Sequence, residues 1–547
     1  MLKGEDYWDG SIIHDMIDFP VGKHCVKTFA NLPTSPYQML VQSGKKHGDK
    51  IGVWTDSMES YTYSDIVHMV DRLAEHLFQI GVGKGTRVGI IASNSTDFVI
   101  SYFAVNSLGA IFTAFPGKFQ TPELQRLITR ARLTVLVCDA SRVEDLAPKK
   151  CGIPHTLVVS DREGGTSLGD FIDVHDAAPR RIYSSSVMTD DSVLLYTSGT
   201  TSLAKGVLIT NLNIAHAVES YERILGITES DSSIIATPIY YVTGLVGILT
   251  ILAKVGGTIY LQKRVRAHDM VDLIARNSIT FVHASPTVFN IMLGERKSYP
   301  KLPSVRVLLC GAAYMPTGRI RELHSWMPAM SFRTVYGLTE STSPATVFPG
   351  DAAVSSMLGA AGVPIPGVRI AIRDHEGVEL GSGHPGEVWM QGPNVTHAYD
   401  GIDTPDLTPE GWLRTGDIGY TTDSGYLYIV DRAKDSINRG GEKIWCLDIE
   451  EELRRIASIR DAAVVGIPDE KYGEIAVAAV KIVPGEAFDE NAIRSELEKR
   501  IARYKIPVHF RVVTEIPLSE TLKVDKNAVR GMFTTENEHP ASPSSAV

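Results

Sequence analysis

The stretch "RVGIIASNSTDFVISYFAVNSLGAIFTAF", residues 87–115, places a segment of helical pattern between two apolar runs. The runs "RVGIIAS" and "AIFTAF" have the length of buried strands, and "TDFVISYFAVNSLG" between them predicts a helix. A strand, a helix and a second strand in this order predict parallel strands joined by a crossover helix. The stretch therefore indicates an α/β fold.

The same alternation continues on both sides of this stretch. Upstream, "YSDIVHMVDRLAEHLFQIG" has apolar residues at three- and four-residue spacing, which predicts an amphipathic helix, and we expect Ser64 to cap its N-terminus. Downstream, "TPELQRLITRAR" predicts another helix. Further apolar runs then predict additional strands: "LTVLVCD", "HTLVVS", "SVLLYTS", "GTIYLQ", "ITFVHAS" and "VRVLLCG".

The pattern changes in the last third of the chain. Short alternating runs such as "RIAIRD", "GEVWMQG" and "GYLYIVD" predict a small β region after residue 350. An α+β pattern follows "DRAKDSINRGGEKI", with helices expected near "LDIEEELRRI" and "NAIRSELEKRIARY" and strands near "DAAVVGI", "AVAAVKIV" and "FRVVTEI". We expect a domain junction at residues 431–434 and, because the end is polar without periodicity, a disordered tail at 534–547.

Length, composition and charge narrow the class of protein. A chain of 547 residues with 44% apolar and 22% charged residues predicts two or more globular domains. A net charge of -10 disfavours nucleic-acid partners. The five cysteines form no CxxC pair and the N-terminus lacks a secretion signal, so we expect a cytoplasmic protein.

One apolar segment has the length of a membrane span. About 22 uncharged residues run from Ser232 to Ala253, but Pro238 and several Thr and Gly residues interrupt them. We therefore expect a loop and a buried helix here, and no membrane span.

The segment "YTSGTTSLAKGV", residues 196–207, joins an apolar strand to a turn rich in Gly, Ser and Thr. It does not match the Walker A pattern, because Ala204 stands where the second glycine belongs and Gly206 where Ser or Thr is needed. The free backbone amides and hydroxyls of such a turn can hold an anion. The sequence thus predicts a phosphate-binding loop of another kind.

This segment resembles the phosphate loop of the adenylate-forming superfamily, which contains acyl-CoA synthetases, stand-alone adenylation enzymes and beetle luciferases. The later signatures of that family follow in order: "YGLTE" at 336, "GWLRTGD" at 411, "DRAKDSINRGGEKI" at 431 and "PLSETLKVDK" at 517. The chain departs from the family pattern at Ser202, Ala204 and Leu522. The resemblance implies two α/β subdomains and a small β subdomain in residues 1–430, a hinge at 431–434 and a small mobile α+β domain at 435–533.

The resemblance also implies residue roles in binding ATP and Mg²⁺. Thr339 is expected at the α-phosphate, Glu340 at Mg²⁺, Tyr336 on the adenine ring, and Lys205 in support of the phosphate loop. Residues of four segments are implied in ATP binding: Thr197, Ser198, Gly199, Thr200, Thr201, Lys205, Gly311, Ala312, Ala313, Tyr336, Gly337, Asp417 and Arg432. Asp417 and Arg432 are expected at the ribose.

The C-terminal motifs imply two further steps. Lys523 matches the lysine that lies between the substrate carboxylate and the α-phosphate, where its charge offsets repulsion between two anions. Lys434 matches the hinge for rotation of the small domain. Gly440 and Gly441 would let the thin pantetheine arm of the thiol acceptor pass close to the backbone.

The substrate loop of the family appears here as "TPIYYVTGLVG", residues 237–247. It has no acidic residue to pair with a substrate ammonium group, so an amino acid substrate is not expected. Five residues are expected to line a mainly apolar acyl pocket, together with the Gly311 turn: Tyr241, Val242, Thr243, Leu245 and Leu338. Asn438 stands where luciferases carry lysine, which disfavours light emission.

These features predict an ATP-dependent carboxylic acid ligase that forms an acyl-adenylate and then an acyl-thioester with CoA. One alternative is an adenylating enzyme that loads a phosphopantetheinyl carrier protein. Another is a non-catalytic nucleotide-binding homologue. The sequence leaves open the carboxylic acid, the choice between CoA and a carrier protein, and whether the protein is a monomer or a homodimer.

Overall fold

The computed structural model contains two compact units. Unit 1 consists of Met1–Ala371 and Trp389–Arg414, and unit 2 consists of Ile372–Val388 and the chain from Thr415 onward. The residues that the structure describes are 1–117, 119–159, 166–167, 169, 185–197, 204–235, 237–263, 266–432, 437–439, 442–519 and 523–534. The predicted tail lies outside them from residue 535 onward, as do residues 433 and 434 of the predicted hinge.

Unit 1 contains a sheet of eight described strands that grows from the stretch at 87–115. Arg87–Ile91 pairs in parallel with Ile111–Ala114 and with Val135–Asp139, as the strand–helix–strand pattern predicts. The sheet has the order Thr166–Ser167, His155–Val159, Val135–Asp139, Arg87–Ile91, Ile111–Ala114, Asp191–Thr197, Lys205–Thr210, Ala398–Tyr399.

A second sheet of unit 1 has nine described strands. Its centre is parallel, from Ser331–Tyr336 through to Ile51–Trp54. The order is Val363–Pro364, Thr346–Val347, Ser331–Tyr336, Val307–Cys310, Phe281–Ala284, Ser232–Ile235, Thr258–Leu261, Ile51–Trp54, Ser60–Thr62. A separate N-terminal hairpin, which the sequence did not predict, pairs Met16–Val21 with His24–Phe29.

Helices connect and cover these strands. Thr96–Ser107 is buried along nearly its whole length, as expected for a helix in the interior of a large domain. The helices of unit 1 are Gly10–Ile13, Pro36–Lys46, Tyr63–Gln79, Thr96–Ser107, Thr121–Ala131, Ala140–Leu146, Asn211–Leu225, Val242–Gly244, Ile251–Val255, Ala267–Arg276, Pro286–Gly294 and Thr317–Trp326. Short 3₁₀ turns occur at Gly4–Asp6, Thr339–Ser341 and Ala352–Val354.

The predicted cap at Ser64 is wrong. The helix begins at Tyr63, and Thr62 caps it in a capping box, in which the Thr62 side chain accepts from the Asp65 amide and the Asp65 side chain accepts from the Thr62 amide. This reciprocal pair satisfies two amides that would otherwise lack partners at the helix start.

The apolar segment from Ser232 begins with a strand that was not expected, and the expected buried helix follows. It contains the strand Ser232–Ile235 and then a buried helical segment, in which a π-helical stretch, Leu245–Thr250, separates Val242–Gly244 from Ile251–Val255. No helix within the described ranges combines the length and apolar character that a bilayer span requires.

Unit 2 contains a second, smaller core. Gly473–Ile482 lies between Ile459–Asp469, which is antiparallel to it, and His509–Val512, which is parallel. The strands Ile437–Arg439 and Glu442–Ile444 and the helices Cys446–Arg454, Glu490–Glu498 and Lys526–Thr534 complete this region, with a 3₁₀ turn at Arg503–Lys505. Buried aliphatic side chains cover both faces of its sheet.

Residues 415–432 also belong to unit 2. There Leu413–Thr421 pairs in antiparallel fashion with Leu427–Arg432. Three strands have residues in both units: Arg369–Arg373, Gly386–Gln391 and Leu413–Thr421. The mixed α/β class is therefore confirmed, while the domain boundaries at 430 and 434 stay predictions.

Candidate functional site

Two neighbouring parallel strands of unit 1 end at the same edge and carry two of the predicted nucleotide motifs. Val307–Cys310 leads into Gly311–Ala313, and Ser331–Tyr336 leads into Gly337. Cys310 lies opposite Thr334 in the parallel register. The structure thus brings the predicted adenine-facing turn beside the Tyr336 loop, at the sheet edge where α/β proteins bind ligands.

Glycine is required at the start of this turn because the strands pack closely. A Cβ atom on Gly311 would lie 2.7 Å from Cγ1 of Val335 and 3.2 Å from the Val335 carbonyl oxygen. Gly337 is similarly confined, because its Cβ would lie 3.0 Å from Oγ of Ser341. Larger residues would push the two motifs apart.

The loop after Tyr336 presents Glu340. The Leu338 amide donates to Oγ of Ser341 at 2.9 Å, and Thr339–Ser341 forms a single 3₁₀ turn. The Ala345 amide donates to the Tyr336 carbonyl oxygen at 2.8 Å, which closes the loop. Thr339 and Glu340 are consequently half-buried in a braced turn.

Glu340 contacts a segment that the sequence did not single out. The hydroxyl of Tyr399 donates to Oε1 of Glu340 at 3.0 Å, and the Thr396 amide donates to the Glu340 carbonyl oxygen at 2.7 Å. Burial, and then the Glu340 charge, raise the pKa of Tyr399, so its phenol stays protonated and can donate.

The donor set at Glu340 fits Mg²⁺ held mainly by a nucleotide. No cluster of three or more His, Cys, Asp or Glu occurs in the described part of the chain, so a site built wholly from protein ligands is absent there. Mg²⁺ takes one or two carboxylates besides waters and substrate phosphates. The half-buried carboxylate of Glu340 meets that need.

The two ends of the phosphate loop are described, whereas the predicted phosphate ligands Ser198, Gly199, Thr200 and Thr201 lie outside the described residues. Thr197 ends one strand opposite Lys205, which begins the next. Nζ of Lys205 lies 2.7 Å from Oδ2 of Asp406 and 5.0 Å from the centre of the Tyr399 ring. These contacts favour a supporting role for Lys205.

The residues predicted for the acyl pocket differ in exposure. Leu245 is completely buried and Val242 nearly so, while Tyr241, Thr243 and Leu338 are half-buried. The rings of Tyr240 and Tyr241 pack edge to face with centroids 4.7 Å apart. The half-buried residues are the better candidates for contact with a ligand, and the pocket stays a prediction.

The structure adds His283, the penultimate residue of the strand Phe281–Ala284, whose carboxyl end lies at the same edge. Its Nδ1 lies 3.2 Å from the Gly247 carbonyl oxygen, and a Cβ atom on Gly311 would lie 3.8 Å from its Nε2. Burial lowers the pKa of His283 to about 4, so the ring is neutral and Nδ1 donates to the carbonyl. Its place at the end of "ITFVHAS" was the available sequence signal.

In unit 2 the two predicted ribose ligands meet each other. Asp417 and Arg432 lie opposite each other on adjacent antiparallel strands, and Nε of Arg432 lies 2.6 Å from Oδ1 of Asp417. The Asp417 residue is 4% exposed, whereas the Arg432 side chain is 42% exposed. The contact with the guanidinium offsets part of the cost of burying the Asp417 carboxylate.

The remaining predicted residues of unit 2 are only partly described. Lys523 is exposed, and its carbonyl oxygen accepts a hydrogen bond from the Ser519 amide at 2.6 Å. The predicted strand "FRVVTEI" is shorter than expected, because it ends at Val512. Lys434, Gly440 and Gly441 lie outside the described residues.

Comparison with known proteins identifies the family. The family model for AMP-binding enzymes matches residues 40–400, and the model for their C-terminal domain matches residues 448–523. The chain belongs to the AMP-binding enzyme family. The resemblance to the adenylate-forming superfamily is thereby confirmed, with a large N-terminal and a small C-terminal domain.

Individual relatives cover nearly the whole chain. An indoleacetate–CoA ligase of Aromatoleum aromaticum is 31% identical over 86% of this chain and 92% of its own length. O-succinylbenzoate CoA synthetase (MenE) of Bacillus subtilis, solved with its acyl-adenylate intermediate, has a TM-score of 0.78 at 26% identity and covers 90% of this chain and 97% of its own. The same enzyme with ATP and magnesium has a TM-score of 0.77 at 26% identity, over 89% and 98%.

Proposed function

We propose that this chain is an ATP-dependent carboxylic acid–CoA ligase, which forms an acyl-adenylate and pyrophosphate and then an acyl-CoA thioester. The observation that carries the proposal is the family match over residues 40–400. Within that range, Gly311–Ala313 and Tyr336–Glu340 lie at one sheet edge, as a nucleotide site requires. The relatives include CoA ligases and a synthetase solved with an acyl-adenylate, which supports the same chemistry.

In the adenylation step, the substrate carboxylate attacks the α-phosphate of ATP and pyrophosphate leaves. The residues Thr197, Ser198, Gly199, Thr200 and Thr201 hold the departing phosphates, and the Thr339 hydroxyl binds the α-phosphate. Glu340 would hold Mg²⁺, which would supply positive charge to neutralise the phosphates. The Lys523 ammonium offsets repulsion between the two anions, and pre-positioned charges of this kind lower the barrier.

In unit 2, Asp417 accepts hydrogen bonds from the ribose hydroxyls and Arg432 keeps its carboxylate in place. Their ion pair supports this assignment, because it fixes the orientation of the Asp417 carboxylate. For the thioester step, Lys434 serves as the hinge and Gly440 and Gly441 line the thiol path. These roles rest on the sequence resemblance.

The substrate is a carboxylic acid without an ammonium group. The loop 237–247 contains no acid, and burying an unpaired ammonium would cost several kcal/mol even after the protein relaxes around it. The neutral His283 and the Gly311 turn provide no anionic partner either.

A cytoplasmic location is supported by the five cysteines, which form no disulfide bond in the described part of the chain.

A carboxylate panel tests the proposal. Purified protein is incubated with ATP, Mg²⁺ and aryl, aliphatic, dicarboxylic or amino acids, with and without CoA, and pyrophosphate and acyl-CoA are measured. We expect pyrophosphate release with an acid that lacks an ammonium group, and acyl-CoA when CoA is present.

Three other outcomes would contradict the proposal in different ways. Release only with amino acids would contradict the substrate class. Pyrophosphate release without acylation of CoA would favour a carrier-protein acceptor. The absence of pyrophosphate with every acid would favour a non-catalytic nucleotide-binding protein.

A further inference from the structure

Residues 396–400 connect the strand that leaves the phosphate loop to the turn that carries Glu340. Tyr399 and Ala398 pair with Val207 and Leu208 in antiparallel fashion. At the other side of the segment, the Thr396 amide donates to the Glu340 carbonyl oxygen at 2.7 Å. The segment therefore ties two nucleotide motifs together through its backbone.

Asp400, the last residue of this segment, anchors it to the eight-stranded sheet. Both terminal nitrogens of the Arg87 guanidinium donate to its carboxylate, at 2.7 and 3.1 Å. Its amide donates to the Gly206 carbonyl oxygen at 2.7 Å. A bidentate arginine–carboxylate pair fixes orientation as well as distance, so the backbone beside Tyr399 has little freedom.

The Tyr399 side chain is held from two sides. The residue is buried, its hydroxyl donates to Oε1 of Glu340 at 3.0 Å, and Nζ of Lys205 lies 5.0 Å from the ring centre. Lys205 is held in turn by Asp406 at 2.7 Å. Hydrogen bonds to a metal-ligating carboxylate orient it and tune its affinity.

We propose that Tyr399 is a positioning residue, which orients the Glu340 carboxylate for Mg²⁺–ATP and links it to the Lys205 end of the phosphate loop. This inference rests on the proposed function, because it takes Glu340 as the protein ligand of Mg²⁺. Tyr399 touches neither substrate nor metal. It acts by donating one hydrogen bond from a rigid strand.

The test compares Tyr399→Phe with Tyr102→Phe. Tyr102 is a matched control, since it is completely buried in the same unit and its hydroxyl lies 3.2 Å from Oγ1 of Thr250. The Mg²⁺ concentration for half-maximal pyrophosphate release is measured at fixed ATP with the acid found in the panel. We expect it to rise about 10- to 100-fold in Tyr399→Phe and to stay unchanged in Tyr102→Phe.

A second readout avoids turnover. Thermal stabilisation by an ATP analogue with a non-hydrolysable α,β-bridge is measured in both variants while Mg²⁺ is titrated, and Mn²⁺ binding to the same complexes is followed by electron paramagnetic resonance. We expect Tyr399→Phe to need about 10- to 100-fold more metal for the same effect. Thioester formation from supplied acyl-AMP should remain at the wild-type rate.

Glu340→Gln and the double variant show whether Tyr399 acts through Glu340. We expect Tyr399→Phe to weaken Mn²⁺ binding in the wild-type background and to add nothing to Glu340→Gln, because interacting residues are not additive. An unchanged metal requirement in Tyr399→Phe would overturn the inference, as would equal loss in both tyrosine variants or full additivity. A wild-type protein that releases no pyrophosphate with any acid would instead contradict the proposed function.

Discussion

The candidate site residues of the two units are held in contrasting ways. In unit 2, two motif residues hold each other: Asp417 and Arg432 are only fifteen positions apart and meet across one antiparallel pair of strands. In unit 1, motif residues are held by residues outside every motif. Glu340 contacts Tyr399, 59 positions away, and Lys205 contacts Asp406, 201 positions away.

The difference shows that a motif predicts its contacts only when the contacting residues lie in the same short segment. Asp417 and Arg432 lie on the two strands of one hairpin, so a single short segment contains the carboxylate and the arginine that pairs with it. Glu340 follows a strand of the nine-stranded sheet, whereas Tyr399 lies in the eight-stranded sheet. Their contact therefore depends on how both sheets and the segment 396–400 pack. Support from distant residues makes unit 1 more dependent on packing around its motifs.

The largest effect that would test this contrast is expected at Lys523. If unit 2 contributed only the Asp417–Arg432 pair, Lys523→Ala would leave adenylation unchanged. We expect instead a loss of about 100- to 1000-fold in pyrophosphate formation, because an opposing charge is removed where two anions meet. Thioester formation from supplied acyl-AMP should be largely retained.

Lys499→Ala is the matched control for Lys523→Ala, since Lys499 is a well-exposed lysine of the same unit that pairs with Glu496. Both half-reactions of this control should be unchanged. Equal losses in the two half-reactions of Lys523→Ala would show that Lys523 is structural.

An intermediate effect is expected for the pair in unit 2. Asp417→Ala should raise the KM for ATP about 10- to 100-fold, because it removes hydrogen bonds to a charged group. Arg432→Ala should raise it by less, about tenfold, since the buried carboxylate remains but loses its partner. The double variant should resemble Asp417→Ala, as contacting residues do not contribute additively.

Steady-state kinetics of the wild-type protein, the two single variants and the double variant measure the coupling between Asp417 and Arg432. Glu515→Ala, which breaks the exposed Lys481–Glu515 pair of the same unit, serves as the control and should leave KM unchanged. If the two single effects multiply in the double variant, Asp417 and Arg432 act independently, and the contrast between the units fails.

The smallest effect is expected at the Lys205–Asp406 pair. Both side chains are about one-third exposed, so this ion pair contributes roughly 1 kcal/mol or less. If Lys205 supports the loop through Asp406, Lys205→Ala and Asp406→Ala should each lower the adenylation rate by at most about fivefold, and by similar factors.

Lys84→Ala, which removes the Lys84–Asp190 pair of unit 1, is the control and should have no effect on adenylation. A loss of more than about 100-fold in Lys205→Ala alone would mean that this lysine contacts the reacting phosphates directly. The supporting role of the distant residue Asp406 would then be wrong.

Much of the order of strands and helices in the large domain, and the segments that carry the nucleotide motifs, could be predicted from the sequence. Alternating apolar runs report on burial, which is a local property, and so the strands at 87–91, 111–114 and 307–310 lie where the pattern predicts. Prediction from the sequence was less reliable at the ends of helices. Thr62 caps the helix predicted to begin after Ser64, because the capping box depends on an exchange of hydrogen bonds with Asp65.

Which residues surround the motifs became visible only in the three-dimensional structure. Tyr399 and Asp406 lie in the polar stretch "AYDGIDTPDLT", which has no periodicity and resembles an ordinary loop in sequence. In the sequence, His283 is part of an apolar run that predicts a buried strand. The structure shows that Gly247 and Gly311 bring backbone close to its ring. Contacts of this kind are set by strand order and register, and neither is encoded in the spacing of residues along a single segment.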